Sequence, residues 1–86
     1  MSFNRKRKPT HPGIAFKDLV VNDRWTVSKL ADHFEVSRPA LSRVLNGRSR
    51  LSMNMARKFS ELTNTSMESW YMMQVNLDLW EAYNET

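Results

Sequence analysis

The tightest constraint in this sequence is a spacing. Phe34 closes one apolar helical stripe and Ser37 caps the next, with only Glu35-Val36 between them. Two helices joined by so few residues must turn sharply and pack against each other. The stripes are explicit: Leu30, Ala31 and Phe34 follow an N-cap at Thr26, and Leu41, Val44 and Leu45 follow Ser37. Pro39 falls in the first turn after Ser37, where proline is tolerated. Asn46-Gly47 ends that helix, with glycine supplying a left-handed residue. The turn at Glu35 lacks such a glycine, and Glu in a left-handed conformation costs on the order of 1 kcal/mol. Val36 is apolar and can plug the angle between the two helices.

The remaining punctuation is also helical. His11-Pro12-Gly13 opens a first helix with proline at its first position, Ile14, Phe16, Leu19 and Val20 form its apolar face, and Asn22-Asp23-Arg24 ends it. Ser52 caps a fourth helix running to about Thr63, with Met55, Ala56, Phe59 and Leu62 inward. Ser66 caps a fifth, with Glu68 in its first turn at the positive helix end. There is no alternating strand pattern and no internal repeat. The expected fold is an all-α bundle of five short helices over residues 11–86, with residues 1–10 as a basic, disordered tail and a last helix over about 66–83. At 86 residues the chain allows one domain with a thin core. The absence of cysteine excludes a disulfide scaffold and a thiolate metal site, and fits a reducing, cytoplasmic setting. No apolar run approaches the roughly 18–20 residues of a membrane span. The basic N-terminus is followed by Pro-Thr-His-Pro, unlike a secretory signal.

Charge is sorted along the chain. The net charge is +4. Arg5, Lys6, Arg7 and Lys8 crowd the N-terminus. From Ser37 to Lys58, 22 residues carry six bases (Arg38, Arg43, Arg48, Arg50, Arg57, Lys58) and no acid. From Phe59 onward there are five acids (Glu61, Glu68, Asp78, Glu81, Glu85) and no base. An acid-free stripe creates a potential that attracts polyanions. The close helix pair lies inside or beside it, a helix-turn-helix arrangement whose second member can enter the DNA major groove. With Leu41, Val44 and Leu45 inward, the outer face of that helix presents Arg38, Pro39, Ser42, Arg43 and Asn46. Arg is the usual bidentate reader of guanine, and Pro39 or Ala40 can touch a thymine methyl. Ser37 and the helix N-terminal amides suit phosphate, and Arg48-Ser49-Arg50 forms a short basic loop suited to clamping the backbone. Arg57 and Lys58, one helix later, read as solubility charges. His11 belongs to the entry of the first helix and His33 to an exposed helix face. Neither has a second ligand at metal spacing, and no nucleophile–base pair or glycine-rich phosphate loop is present, so neither a metal, a cofactor nor an enzyme activity is expected.

Four segments together resemble the HigA-type antitoxins of bacterial toxin–antitoxin modules, within the phage-repressor-like helix-turn-helix class. They are Lys8-Pro9-Thr10-His11-Pro12-Gly13, then Val36 to Gly47 (VSRPALSRVLNG), then Met55-Ala56-Arg57-Lys58-Phe59, then Trp70 with Leu77-Asp78-Leu79-Trp80. The resemblance runs from about Lys8 to Tyr83. It departs at Glu35, at Ile14-Ala15 and at Trp25, none of which lies on the proposed reading face. It implies a dimeric repressor of its own operon that also silences a partner toxin, a RelE-like ribonuclease. By resemblance, Arg38, Ser42 and Arg43 read bases, while Thr26, Ser37, Asn46, Arg48 and Arg50 contact phosphates.

The fifth helix carries Trp70, Met73, Leu77 and Trp80 at spacings of 3, 4 and 3, with Met72, Leu79 and Tyr83 nearby widening the apolar face and Gln74, Asn76, Asp78 and Glu81 as polar positions. A period of 3.5 marks helix-on-helix packing, and this apolar face is wide for one small domain. It is the expected homodimer seam. A plain dimeric helix-turn-helix repressor without a toxin partner fits the same residues, and a neighbouring reading frame for a small basic protein separates the two. A module binding only protein has no need of the acid-free stripe.

Overall fold

The computed structural model describes residues 7–85. The chain forms five helices: α1 (Pro12–Val20), α2 (Val27–Phe34), α3 (Arg38–Leu45), α4 (Met53–Thr63) and α5 (Met67–Asn84). Each starts at a side chain that accepts from an early amide: His11 from Gly13, Thr26 from Lys29, Ser37 from Ala40, Ser52 from Met55 and Ser66 from Ser69. Four of these are the Ser and Thr caps expected from the sequence. The fifth is the His11 imidazole, whose Nδ1 stands 2.9 Å from the Gly13 nitrogen.

Three helix ends close in the same way. Glu35, Gly47 and Asn64 all have φ between 56° and 73°. In each case the following amide reaches back to the last turn: Val36 to Ala31 (3.0 Å), Arg48 to Arg43 (2.8 Å) and Thr65 to Ser60 (3.2 Å). This satisfies carbonyls that a helix end otherwise leaves unpaired. Asn is the second residue type that tolerates this backbone. Glu35 has no such advantage, and the short turn between α2 and α3 imposes the conformation on it.

The core is built on four rings from four helices. Phe16 of α1 stacks on Phe59 of α4 with centroids 3.8 Å apart, and Trp70 of α5 stands edge-on to both, at 5.6 and 5.4 Å. Phe34 of α2 tilts against Phe16 and Phe59, each at 6.1 Å. Leu30, Leu41, Leu45 and Leu51 fill the space around them. Helix α3 packs on α1 and α2, and α4 and α1 pack on α5. Inward rows on α2 and α3 are those read from the sequence.

Helix α1 departs from expectation. Leu19 is 66% exposed and Ile14 is also exposed, because the buried face of α1 is Pro12, Gly13 and Phe16. The reason is a backbone approach. A Cβ on Gly13 would lie 1.8 Å from the Val44 carbonyl oxygen of α3, so α1 meets α3 along its bare glycine edge and turns Ile14 and Leu19 outward.

The expected dimer seam is also divided. Trp70 and Leu77 are only 7% and 4% exposed within a single chain, and both are part of that chain's own buried interior. Trp70 Nε1 donates to Thr63 and Thr65 hydroxyls at 3.1 and 2.9 Å. Met73 packs against the core, Trp80 is half-buried, and Tyr83 is exposed. Gln74, read as an outward polar position, is 2% exposed. The inner row of α5 is therefore Trp70, Gln74 and Leu77, with Gln74 in the place the sequence pattern gives to Met73. Of the stretch 1–10 expected to be disordered, residues 1–6 lie outside the described residues, including Arg5 and Lys6. Lys8 lies against α5, its Nζ 5.7 Å from the Trp80 ring centroid and 4.0 Å from Glu81.

Substituting Gly13→Ala forces α1 and α3 apart. We expect a loss of about 1–3 kcal/mol, or roughly 4–8 °C in Tm per kcal/mol for a chain of this size. Thermal and urea unfolding measure it, and wild-type stability in that variant would mean that the two helices separate without cost.

Candidate nucleic-acid interface

Helix α3 is held by its inner face and offers its outer one. Leu41, Val44 and Leu45 are buried against α1 and α2, which leaves Arg38, Pro39 and Arg43 exposed and Ala40 and Ser42 half-buried. Both arginines expected on the outer face are thus open to solvent. Ser37 Oγ is occupied as an acceptor from Ala40 at 3.2 Å, and Thr26 Oγ1 from Lys29 at the same distance. Both are caps first. Each hydroxyl keeps its hydrogen, so each can still donate to a phosphate oxygen.

At the far end of α3 the geometry is more specific than the sequence revealed. Asn46 Nδ2 donates to the Ser42 carbonyl (2.9 Å) and hydroxyl (3.2 Å), and Asn46 Oδ1 accepts from Lys17 Nζ at 3.1 Å. Asn46, expected on phosphate, instead ties the end of α3 to α1 and aligns Ser42. Lys17 is the residue that sequence reasoning missed. It looks like an ordinary solvated charge on α1, and only the glycine-edge packing of α1 on α3 brings it beside the reading face.

The basic loop after α3 is gripped from both sides. His11 Nδ1 accepts from Gly13, so its proton sits on Nε2, which donates to the Ser49 carbonyl at 2.9 Å. From α5, Gln74 Oε1 accepts from the Leu51 amide at 2.7 Å, and Gln74 Nε2 donates to Asp78 Oδ1 at 2.8 Å. The other Asp78 oxygen accepts from the Arg50 guanidinium. Arg48 is exposed beside a cleft of about 610 Å³ between the N-terminal segment, this loop and α5. Arg50, expected on phosphate, is thus ion-paired to α5. Partial burial raises the Asp78 carboxyl, but the hydrogen bonds from Arg50 and Gln74 outweigh it and hold the group below the usual carboxylate range. The Arg50 guanidinium is raised in turn by its bond to Asp78 and by a second one to Tyr71.

Arg57 donates to Asn54 at 2.7 Å on the first turns of α4 and remains exposed. His33 stacks edge-on to Trp25 at 5.1 Å on the exposed side of α2. Among the described residues no three His, Asp or Glu side chains gather as a metal site, and no helix is long and apolar enough to cross a membrane.

The helix-turn-helix family matches residues 20–70, from the end of α1 to the start of α5. Virulence-associated protein A' of Dichelobacter nodosus is 34% identical over 80 residues, covering 92% of this chain and 70% of that protein. An uncharacterized HTH-type transcriptional regulator of Haemophilus influenzae is 33% identical over 76 residues, covering 87% and 71%. Among solved structures, an addiction module antidote protein of the HigA family from Coxiella burnetii superposes with a TM-score of 0.76 at 26% identity, over 88% of this chain and 84% of that one. PA4674 of Pseudomonas aeruginosa, in complex with its 28-base-pair operator DNA, superposes with a TM-score of 0.79 at 26% identity, over 87% and 84%.

Proposed function

The chain belongs to the helix-turn-helix family, and from that premise we propose that it is a homodimeric antitoxin that reads an operator with α3, represses its own operon and neutralises a partner ribonuclease of the RelE-like kind. The observation that carries the DNA half is the outward face of α3. Arg38 and Arg43 stand in solvent within a 22-residue segment that contains no acid. In the first turn of such a helix Arg38 enters the groove deepest, where a guanidinium pairs with guanine O6 and N7. Arg43, Ser42, Ala40 and Pro39 complete the reading surface. Thr26, Ser37, Arg48 and Lys17 surround it as phosphate contacts, which position the helix without reading sequence. The solved PA4674 complex with its operator DNA, a fold of the same kind, supports DNA binding. The toxin half rests on likeness to the HigA-family antidote and on the sequence resemblance.

The dimer uses a different row of α5 from the one the heptad pattern picked out. Met72, Leu79 and Tyr83 are 49%, 48% and 48% exposed and fall at i, i+7 and i+11 on one helix face. Aromatic residues and Met are enriched at interface cores. Pairing two chains along this row gives a twofold assembly whose two α3 helices must sit about 34–36 Å apart to enter successive major grooves. The protein acts by binding alone.

Three measurements test this. Arg38→Ala should cost about 1–3 kcal/mol of operator binding and relax base preference; a site-selection experiment returning the wild-type motif removes Arg38 as a reader. Leu79→Glu should give a monomer in sedimentation at micromolar concentration with near-wild-type thermal stability, since the side chain is not in the core. An intact dimer discards the Met72–Leu79–Tyr83 row. Co-expression with the product of the adjacent reading frame should yield a stable complex that abolishes its ribonuclease activity. A regulator with no such partner and normal operator binding would be a plain repressor.

A further inference from the structure

One exposed arginine of the basic loop is committed to a carboxylate of the same chain. Arg48 and Arg50 are separated by one residue and both follow the reading helix, yet Arg50 is paired with Asp78 of α5. The carboxylate is held in place by a chain of bonds. Gln74, buried in the interior, fixes one Asp78 oxygen at 2.8 Å and is itself fixed by the Leu51 amide at 2.7 Å. The pair lies at the surface, with the Arg50 and Asp78 side chains 57% and 38% exposed, but the carboxylate is oriented from beneath by the buried Gln74 amide.

We propose that Asp78 is a positioning residue of the DNA surface: it holds Arg50 on α5 and withholds that guanidinium from the phosphate backbone. The consequence follows from counterion release. A protein cation that neutralises a phosphate displaces a condensed counterion, and each such contact steepens the salt dependence of binding by about 0.9 in log–log slope. An arginine already neutralised by a carboxylate releases none. In the wild-type protein the loop therefore contributes Arg48, and sequence-blind affinity is kept one contact lower than the arginine count implies. Asp78 stands beside Leu79, so the helix proposed to meet a second copy also sets how strongly the molecule grips DNA of any sequence. The inference rests on the DNA-binding reading and adds to it a brake on non-specific attachment.

The test is a double-mutant cycle on binding to a mixed-sequence duplex across a range of salt. Asp78→Asn keeps an oxygen that can accept from Gln74, while Asp78→Ala removes it. Both should steepen the slope by about 0.9 and strengthen binding by roughly tenfold near 0.1 M salt, the size of one released counterion. Arg50→Ala alone should leave the wild-type slope unchanged, and in that background either Asp78 substitution should have no effect. Base preference in site selection should be the same in all variants. If Arg50→Ala alone flattens the slope, Arg50 already sits on phosphate and the proposal is overturned. It is equally overturned if Asp78 substitution strengthens binding as much without Arg50 as with it, since the effect is then the loss of a distant negative charge. It also fails if Asp78 substitution changes nothing. A wild-type protein that shows no salt-dependent DNA binding in the same titration defeats the DNA-binding reading itself, which separates the two failures.

Discussion

The aim of α3 depends on a contact between two backbones. At Gly13 the edge of α1 comes so close to the Val44 carbonyl that a single methyl group does not fit. That approach sets the direction of α1, and with it the place of Phe16 against Phe59 and Trp70. The inner face of α3 then closes over the same core through Leu41, Val44 and Leu45. A close-packed interior transmits such constraints because it has few alternatives of equal density. The outward arginines inherit their orientation from that core, with no contribution from their own side chains.

Polar side chains finish what the core begins. The segment from Gly47 to Leu51 lies in neither flanking helix, so its backbone groups need other partners. His11 and Gln74 supply two of them from opposite sides. Both are nearly buried, and both use both of their polar ends. A loop held in this way presents its arginines from a defined backbone. The charge segregation along the chain takes on a second meaning here. The acids of α5 complement bases of the same chain, Asp78 at Arg50 of the loop and Glu81 at Lys8.

Much of the fold was legible because helix ends are written in local chemistry. Ser and Thr caps, Pro at first turns and Gly47 act within four residues of themselves, so the sequence pattern and the structure agree at Thr26, Ser37, Ser52 and Ser66. The inward rows of α2 and α3 were equally clear, since each helix has one narrow apolar stripe. Helix α5 was not. It is apolar on more than one side, and a heptad reading joined Trp70 and Leu77 of the inner row to Met73 and Trp80 beside it. The buried Gln74 was hidden for the same reason: an amide beside aromatics looks like a surface position until the Leu51 amide, 23 residues away, is brought to it by the fold.

What the sequence determined by itself is therefore the local and the electrostatic: five helices, the sharp turn at Glu35-Val36, the outer face of α3 and the acid-free stretch around it. These depend on neighbours a few residues apart or on charge counted along the chain. Tertiary structure alone decided which side of α1 and α5 is buried, that Lys17 reaches the end of α3, that Asn46 is a strut, and that Arg50 pairs with α5. Each of these is a choice between partners 23 to 29 residues apart or more, and among many chemically acceptable partners only the packing of the helices selects one.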